Sequence, residues 1–112
     1  MLSIKPGGFV KVIAELTIIP IGVGVSLSEY VAVCERILAE ADLTVHLHAN
    51  GTNVEGDWDT VFAAVKQCHE AIHSQGAPRI HTTISVGTRI DREQTMADKV
   101  RSVESELSAS AE

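Results

Sequence analysis

The chain is predicted to be an α+β protein, a ferredoxin-like βαββαβ sandwich with a four-stranded antiparallel sheet, two helices on one face, and a C-terminal helix. Three observations predict it. Apolar residues alternate with period two in some stretches and recur every three to four residues in others. The stretches follow the order strand, helix, strand, strand, helix, strand, helix. Asn50-Gly51 lies between the two middle strands and signals a two-residue hairpin turn, because both residues tolerate positive φ. Right-handed crossovers then give the spatial strand order 4-1-3-2.

Taken in order, residues 1–8 contain Pro6-Gly7-Gly8 and read as a flexible lead-in to a single domain over 9–107. The first strand is expected over 9–19. Its even positions Val10, Val12, Ala14, Leu16 and Ile18 are uniformly apolar, while the odd ones mix Lys11, Glu15 and Thr17 with Phe9, Ile13 and Ile19. Pro20 is expected to end ladder pairing, and the glycines of Pro20-Ile21-Gly22-Val23-Gly24 make a loop that lets backbone approach closely. Ser26-Leu27-Ser28-Glu29 fits a capping box that starts a helix. Leu27, Tyr30, Val31, Cys34, Ile37, Leu38 and Ala41 form its apolar stripe.

The second strand, 43–50, alternates strictly. Leu43, Val45, Leu47 and Ala49 face one way; Thr44, His46, His48 and Asn50 face the other. Beyond the turn, Thr52 and Val54 share one face and Asn53 and Glu55 the other, so register decides whether Glu55 meets His48. Asp57 caps a second helix in which Trp58, Val61, Phe62, Val65, Cys68, His69 and Ile72 recur until Gly76-Ala77-Pro78 stops it. The last strand, 79–90, sets Ile80, Ile84, Val86 and Ile90 against His81, Thr83, Ser85 and Arg89. Asp91 and Gln94 suggest a further capping box. The third helix carries Met96, Val100, Val103 and Leu107, a narrow seam suited to packing on a partner, and 108–112 are expected to fray.

A formal charge of −6 excludes nucleic acid and anionic membrane as natural partners, since phosphate binding requires a basic surface. No apolar run approaches the roughly 18 residues of a membrane span, and the N-terminus lacks a secretion pattern. Cys34 and Cys68, without any CxxC, read as buried free thiols of a reducing compartment, so a cytoplasmic location is expected.

One sheet face is left without helices in this topology. It carries Glu15, Thr17, His46, His48, Asn50, Asn53 or Glu55, His81, Thr83 and Ser85 among Phe9, Ile13 and Ile19. A half-apolar face with hydrogen-bonding groups suits a homo-oligomer that traps a small polar ligand between subunits. His69-Glu70-Ala71-Ile72-His73 matches HExxH, the zinc-hydrolase pattern, and continues to Gly76, but Arg79 stands where a third ligand belongs. The zinc hydrolase is therefore one alternative, and a purely structural oligomer that buries this face against a copy is the other. A second metal constellation would need His46, His48 and His81 on adjoining strands.

Several segments, taken together, resemble the thiamine-binding protein family. They are Leu16-Thr17-Ile18-Ile19-Pro20-Ile21-Gly22, Ser26-Leu27-Ser28-Glu29-Tyr30-Val31, and Gly51-Thr52-Asn53-Val54-Glu55-Gly56 with Val61-Phe62-Ala63-Ala64-Val65-Lys66. Arg79-Ile80-His81, Thr83-Ile84, Asp91-Arg92 and the run from Thr95 to Glu104 complete the set. The resemblance implies a ferredoxin-like subunit, assembly into dimers or tetramers, and binding of thiamine or its hydroxymethylpyrimidine without catalysis, metal or cofactor. The expected ligand residues are Thr17, Tyr30, His48, Asn50, Thr52, Glu55 and Thr83. A carboxylate such as Glu55 or an amide such as Asn50 pairs with an aminopyrimidine's ring nitrogen and amine, and an aromatic face such as Tyr30 or Trp58 suits a thiazolium.

Overall fold

A computed structural model describes residues 10–110. The expected lead-in 1–8, Phe9 and the last tail residues 111–112 lie outside the described residues. Seven elements follow the predicted order: β1 (Lys11–Ile21), α1 (Ser28–Glu40), β2 (Thr44–His48), β3 (Gly51–Asp57), α2 (Trp58–Ser74), β4 (Arg79–Thr88) and α3 (Met96–Ser110). The strands form one antiparallel sheet in the order β2-β3-β1-β4, as the connection rules require.

The apolar faces define the core. Val12, Ala14 and Leu16 of β1 and Val54 of β3 meet Cys34 and Leu38 of α1 and Val61, Ala64, Val65, Cys68 and Ile72 of α2. Leu38, Val54, Val61, Cys68 and Ile72 are essentially inaccessible, so the period-two and period-3.6 faces converge as read. The helical stripes have fringes: Val31 and Trp58 are more than a third exposed, and Trp58 stacks on Phe62 with ring centroids 4.8 Å apart.

Several local expectations are corrected. Ala49 and Asn50 make the hairpin turn, not Asn50-Gly51, because His48 pairs with Gly51 and no non-glycine residue among those described has positive φ. Gly51 is needed for proximity instead: a Cβ there would stand 2.7 Å from the Leu16 carbonyl oxygen. Pro20 does not end pairing, since Pro20 and Ile21 pair with Ile80 and Arg79. The β1–β3 pairing extends only to Leu16 and Thr52, so one flank of β1 is open at Pro20 and a missing N–H is tolerated there.

The capping boxes also differ. Leu27 is the N-cap of α1 without a side-chain cap bond, which moves Ser26 outside the helix and spoils the spacing to Glu29. Asp57 does hold the N-cap of α2, but its side chain makes no cap bond and the first N–H, Trp58, donates to the Val10 carbonyl at 2.8 Å. Arg89 draws both Asp91 and Gln94 to itself, at 2.5 and 3.0 Å. The box at α3 is formed instead by Thr95 and Asp98, each accepting the other's backbone N–H at 3.0 Å. α3 runs on to Ser110, and its seam is exposed beyond Met96: Val100, Val103 and Leu107 are all more than half accessible.

Candidate functional site

Antiparallel partners point to the same side of a sheet, so the register fixes the open face. One cross-strand row is His46, Asn53, Glu15 and Ser85; the next holds His48 beside Gly51, then Thr17 beside Thr83. Glu55 lies in another row, opposite Thr44 and Ile13. Glu55 therefore does not meet His48.

His48 is the best-held polar group here. Its Nδ1 accepts the Asn50 backbone N–H at 3.3 Å, which assigns the ring proton to Nε2. Nε2 then donates to Asn53 Oδ1 at 3.1 Å and lies 3.5 Å from Glu15 Oε2. Thr17 donates to the Asn50 carbonyl at 3.3 Å, tying β1 to the hairpin turn. This imidazole, amide and carboxylate form a small set of donors and acceptors with fixed orientation.

The face is not wholly uncovered. The Met96 N–H donates to Glu55 Oε2 at 3.0 Å, so Glu55 receives the first turn of α3 rather than that of α2. Beneath that turn lies a half-open cavity of about 350 Å³. Glu15, Asn53 and Ser85 line its floor, with Met96, Lys99 and Val100 above.

Of the seven predicted ligand residues, the sheet brings Thr17, His48, Asn50, Glu55 and Thr83 to the open face and its hairpin edge. Tyr30 and Thr52 are separated from them by the sheet itself. Tyr30 packs against the core, and Thr52 is buried on the helix side, donating to Glu35 Oε1 at 2.8 Å. Glu15 and Asn53 were legible on the open face by alternation but were not singled out as ligand residues. Lys99 appeared only within the resembling run from Thr95 to Glu104, and Glu35 in no motif.

The histidine patterns find structural partners. His69 Nε2 is 2.6 Å from Thr82 Oγ1, and His73 Nδ1 donates to the Ala77 carbonyl at 2.8 Å, closing the α2 C-terminus. Their ring centroids stand 6.4 Å apart, and among the described residues no three His, Cys, Asp or Glu side chains are placed to hold a metal. His46 and His48 lie on one sheet edge and His81 on the other, about 14 Å across four strands, so those strands do not adjoin. Both thiols are free and buried; the Cys68 thiol is pushed up by its hydrogen bond with Cys34, by burial, and by the charges of Cys34 and Glu35. No helix among the described residues is long and apolar enough to cross a membrane.

Comparison with known proteins agrees with this architecture. A UPF0045 protein of Synechocystis sp. is 60% identical over 97 residues, covering 87% of this chain and 80% of that protein. The crystal structure of a hypothetical protein from Methanocaldococcus jannaschii superposes with a TM-score of 0.78 at 34% identity, covering 84% of this chain and 96% of the other. A Thermotoga maritima protein, assigned provisionally to thiamine biosynthesis or salvage, shares the fold with a TM-score of 0.71 at 18% identity, over 83% of this chain and 98% of that one. The family model described as Thiamine-binding protein matches residues 14–104, covering β2, β3, β4, most of β1 and both core helices, and the chain therefore belongs to the thiamine-binding protein family.

Proposed function

We infer that the protein binds thiamine or its hydroxymethylpyrimidine without catalysing a reaction, as a cytoplasmic homo-oligomer whose open sheet face is closed by a second copy. The observation that carries this is the His48, Asn53 and Glu15 cluster, held in one orientation beside a half-open cavity. An aminopyrimidine presents adjacent acceptor and donor nitrogens, which the Asn53 amide N–H and the Glu15 carboxylate match, with His48 holding the amide in place. The overall charge of −6 favours the thiazolium cation. A ligand site needs most of its ligand surface covered, and an open sheet face does not provide that alone. The exposed Val100, Val103 and Leu107 seam and Ile19 and Ile21 on the face are apolar surfaces of the kind that a second copy buries.

Isothermal titration calorimetry with thiamine, thiamine diphosphate and hydroxymethylpyrimidine tests the reading. Saturable binding is expected with at least one of them. His48→Ala is expected to weaken it about tenfold, the scale of one lost hydrogen bond to a charged network. Absence of heat with all three ligands would overturn the assignment.

A further inference from the structure

The helix side of the sheet holds a carboxylate that the open-face site does not use. Glu35 of α1 accepts the Thr52 hydroxyl on Oε1 at 2.8 Å, while its Oε2 has less than 1 Å² of accessible surface and no hydrogen-bond partner among the described residues. A buried carboxylate oxygen without a donor is a standing cost to the fold, and such groups call for a specific account. The surroundings offer one. Thr52 pairs across the ladder with Leu47, whose side chain points to the same side yet is 63% exposed, so the helix layer stops short of this end of β2. Val31, one turn before Glu35 on the same helical flank, is also more than a third exposed.

We propose that Glu35, oriented by Thr52, anchors a second small-molecule site on the helix side of the sheet, for a ligand with an amidine-type edge such as an aminopyrimidine presents. Two adjacent nitrogens in one plane, at least one bearing hydrogen, match a carboxylate whose lone pairs are only partly used. Leu47 and Val31 supply apolar surface for the faces of a flat ring. A metal ion is not the expected occupant, because among the described residues no three His, Cys, Asp or Glu side chains are placed to hold one. The inference rests on the family reading above for its choice of aminopyrimidine ligand, and it places Tyr30 and Thr52 on the same side of the sheet as the anchor.

The test is an amide NMR titration of the full chain with hydroxymethylpyrimidine and with thiamine, on wild type, Glu35→Gln, Thr52→Val and His48→Ala. Saturable shifts are expected at Val31, Glu35, Leu47 and Thr52. Glu35→Gln, which keeps an acceptor for Thr52 but removes the charge, is expected to weaken binding about tenfold or more, and Thr52→Val a few-fold. His48→Ala is expected to leave these particular shifts and their midpoint within about twofold. Shifts confined to His48, Asn53 and Thr83, with Glu35→Gln binding like wild type, would overturn the second site while leaving the ligand reading intact. Absence of saturable shifts with either compound would overturn both. Should Glu35→Gln fail to fold, unaltered binding by Thr52→Val is the overturning result.

Discussion

The Asn50 N–H leaves His48 Nδ1 only the role of acceptor, and that single backbone contact decides what the ring does: its one N–H, at Nε2, holds Asn53 Oδ1 and so turns the Asn53 amide N–H2 outward as donor. Side chains here act through backbone neighbours that a linear motif does not display. Gly51 is the clearest instance. A methyl there would meet the Leu16 carbonyl oxygen at 2.7 Å and Thr17 Oγ1 at 3.1 Å, so Gly51→Ala must push the hairpin away from β1. We expect a loss of about 1–3 kcal/mol of stability, the usual cost of overpacking, read by urea denaturation. Ile72→Ala, at a fully buried α2 position, is expected to cost about 2–5 kcal/mol in the same assay. The HExxH histidines also act locally, one bonded to Thr82 and the other to the Ala77 carbonyl.

Among the elements, α3 is the one held least by the core. Its start depends on the Thr95 and Asp98 box, on Glu55 accepting the Met96 N–H, and on Asp98 pairing with Arg101. The Asp98 carboxyl lies below the usual range because it accepts the Thr95 N–H, with Arg101 adding to the effect. Arg89 holds the Asp91 carboxyl in the preceding loop at about 2. A depressed folded-state pKa contributes stability that is complete above the unfolded value near 4 and is lost as pH falls through the folded one. The junction before α3 is therefore expected to loosen between about pH 4 and pH 2, seen as loss of helical circular dichroism while the sheet persists. Glu55→Ala should loosen the same turn at neutral pH, by about 0.5–1 kcal/mol.

The molecule as a whole is more extended than its length requires. Its radius of gyration is 16.5 Å, against about 13 Å for a compact domain of this size. The excess reflects α3, which packs by its first turns and carries Val100, Val103 and Leu107 into solvent. If a second copy covers that seam, the melting temperature rises with protein concentration. Val103→Asp with Leu107→Asp is then expected to abolish the dependence and reduce the mass seen by light scattering to that of one chain.

Alternation in residues 10–18 and 43–47, helical spacing in 27–41 and 58–72, and the order of these stretches determined the fold class, the strand order and most of the core, because burying an apolar face has few solutions at this length. The same alternation placed Thr17, His48 and Thr83 on the open face. What only the tertiary structure decided was pairing at a distance. The hairpin turn fell on Ala49 and Asn50, which set Gly51 opposite His48 and Glu55 opposite Thr44, so that the His48 ring reaches Asn53 and Glu15 in the neighbouring cross-strand row. The sheet put Thr52 and Tyr30 on the opposite side, and Glu35 reached Thr52 across 17 residues. Local periodicity specifies which way a side chain points; which other side chain it meets depends on register and crossover, and those are settled only when the whole sheet closes.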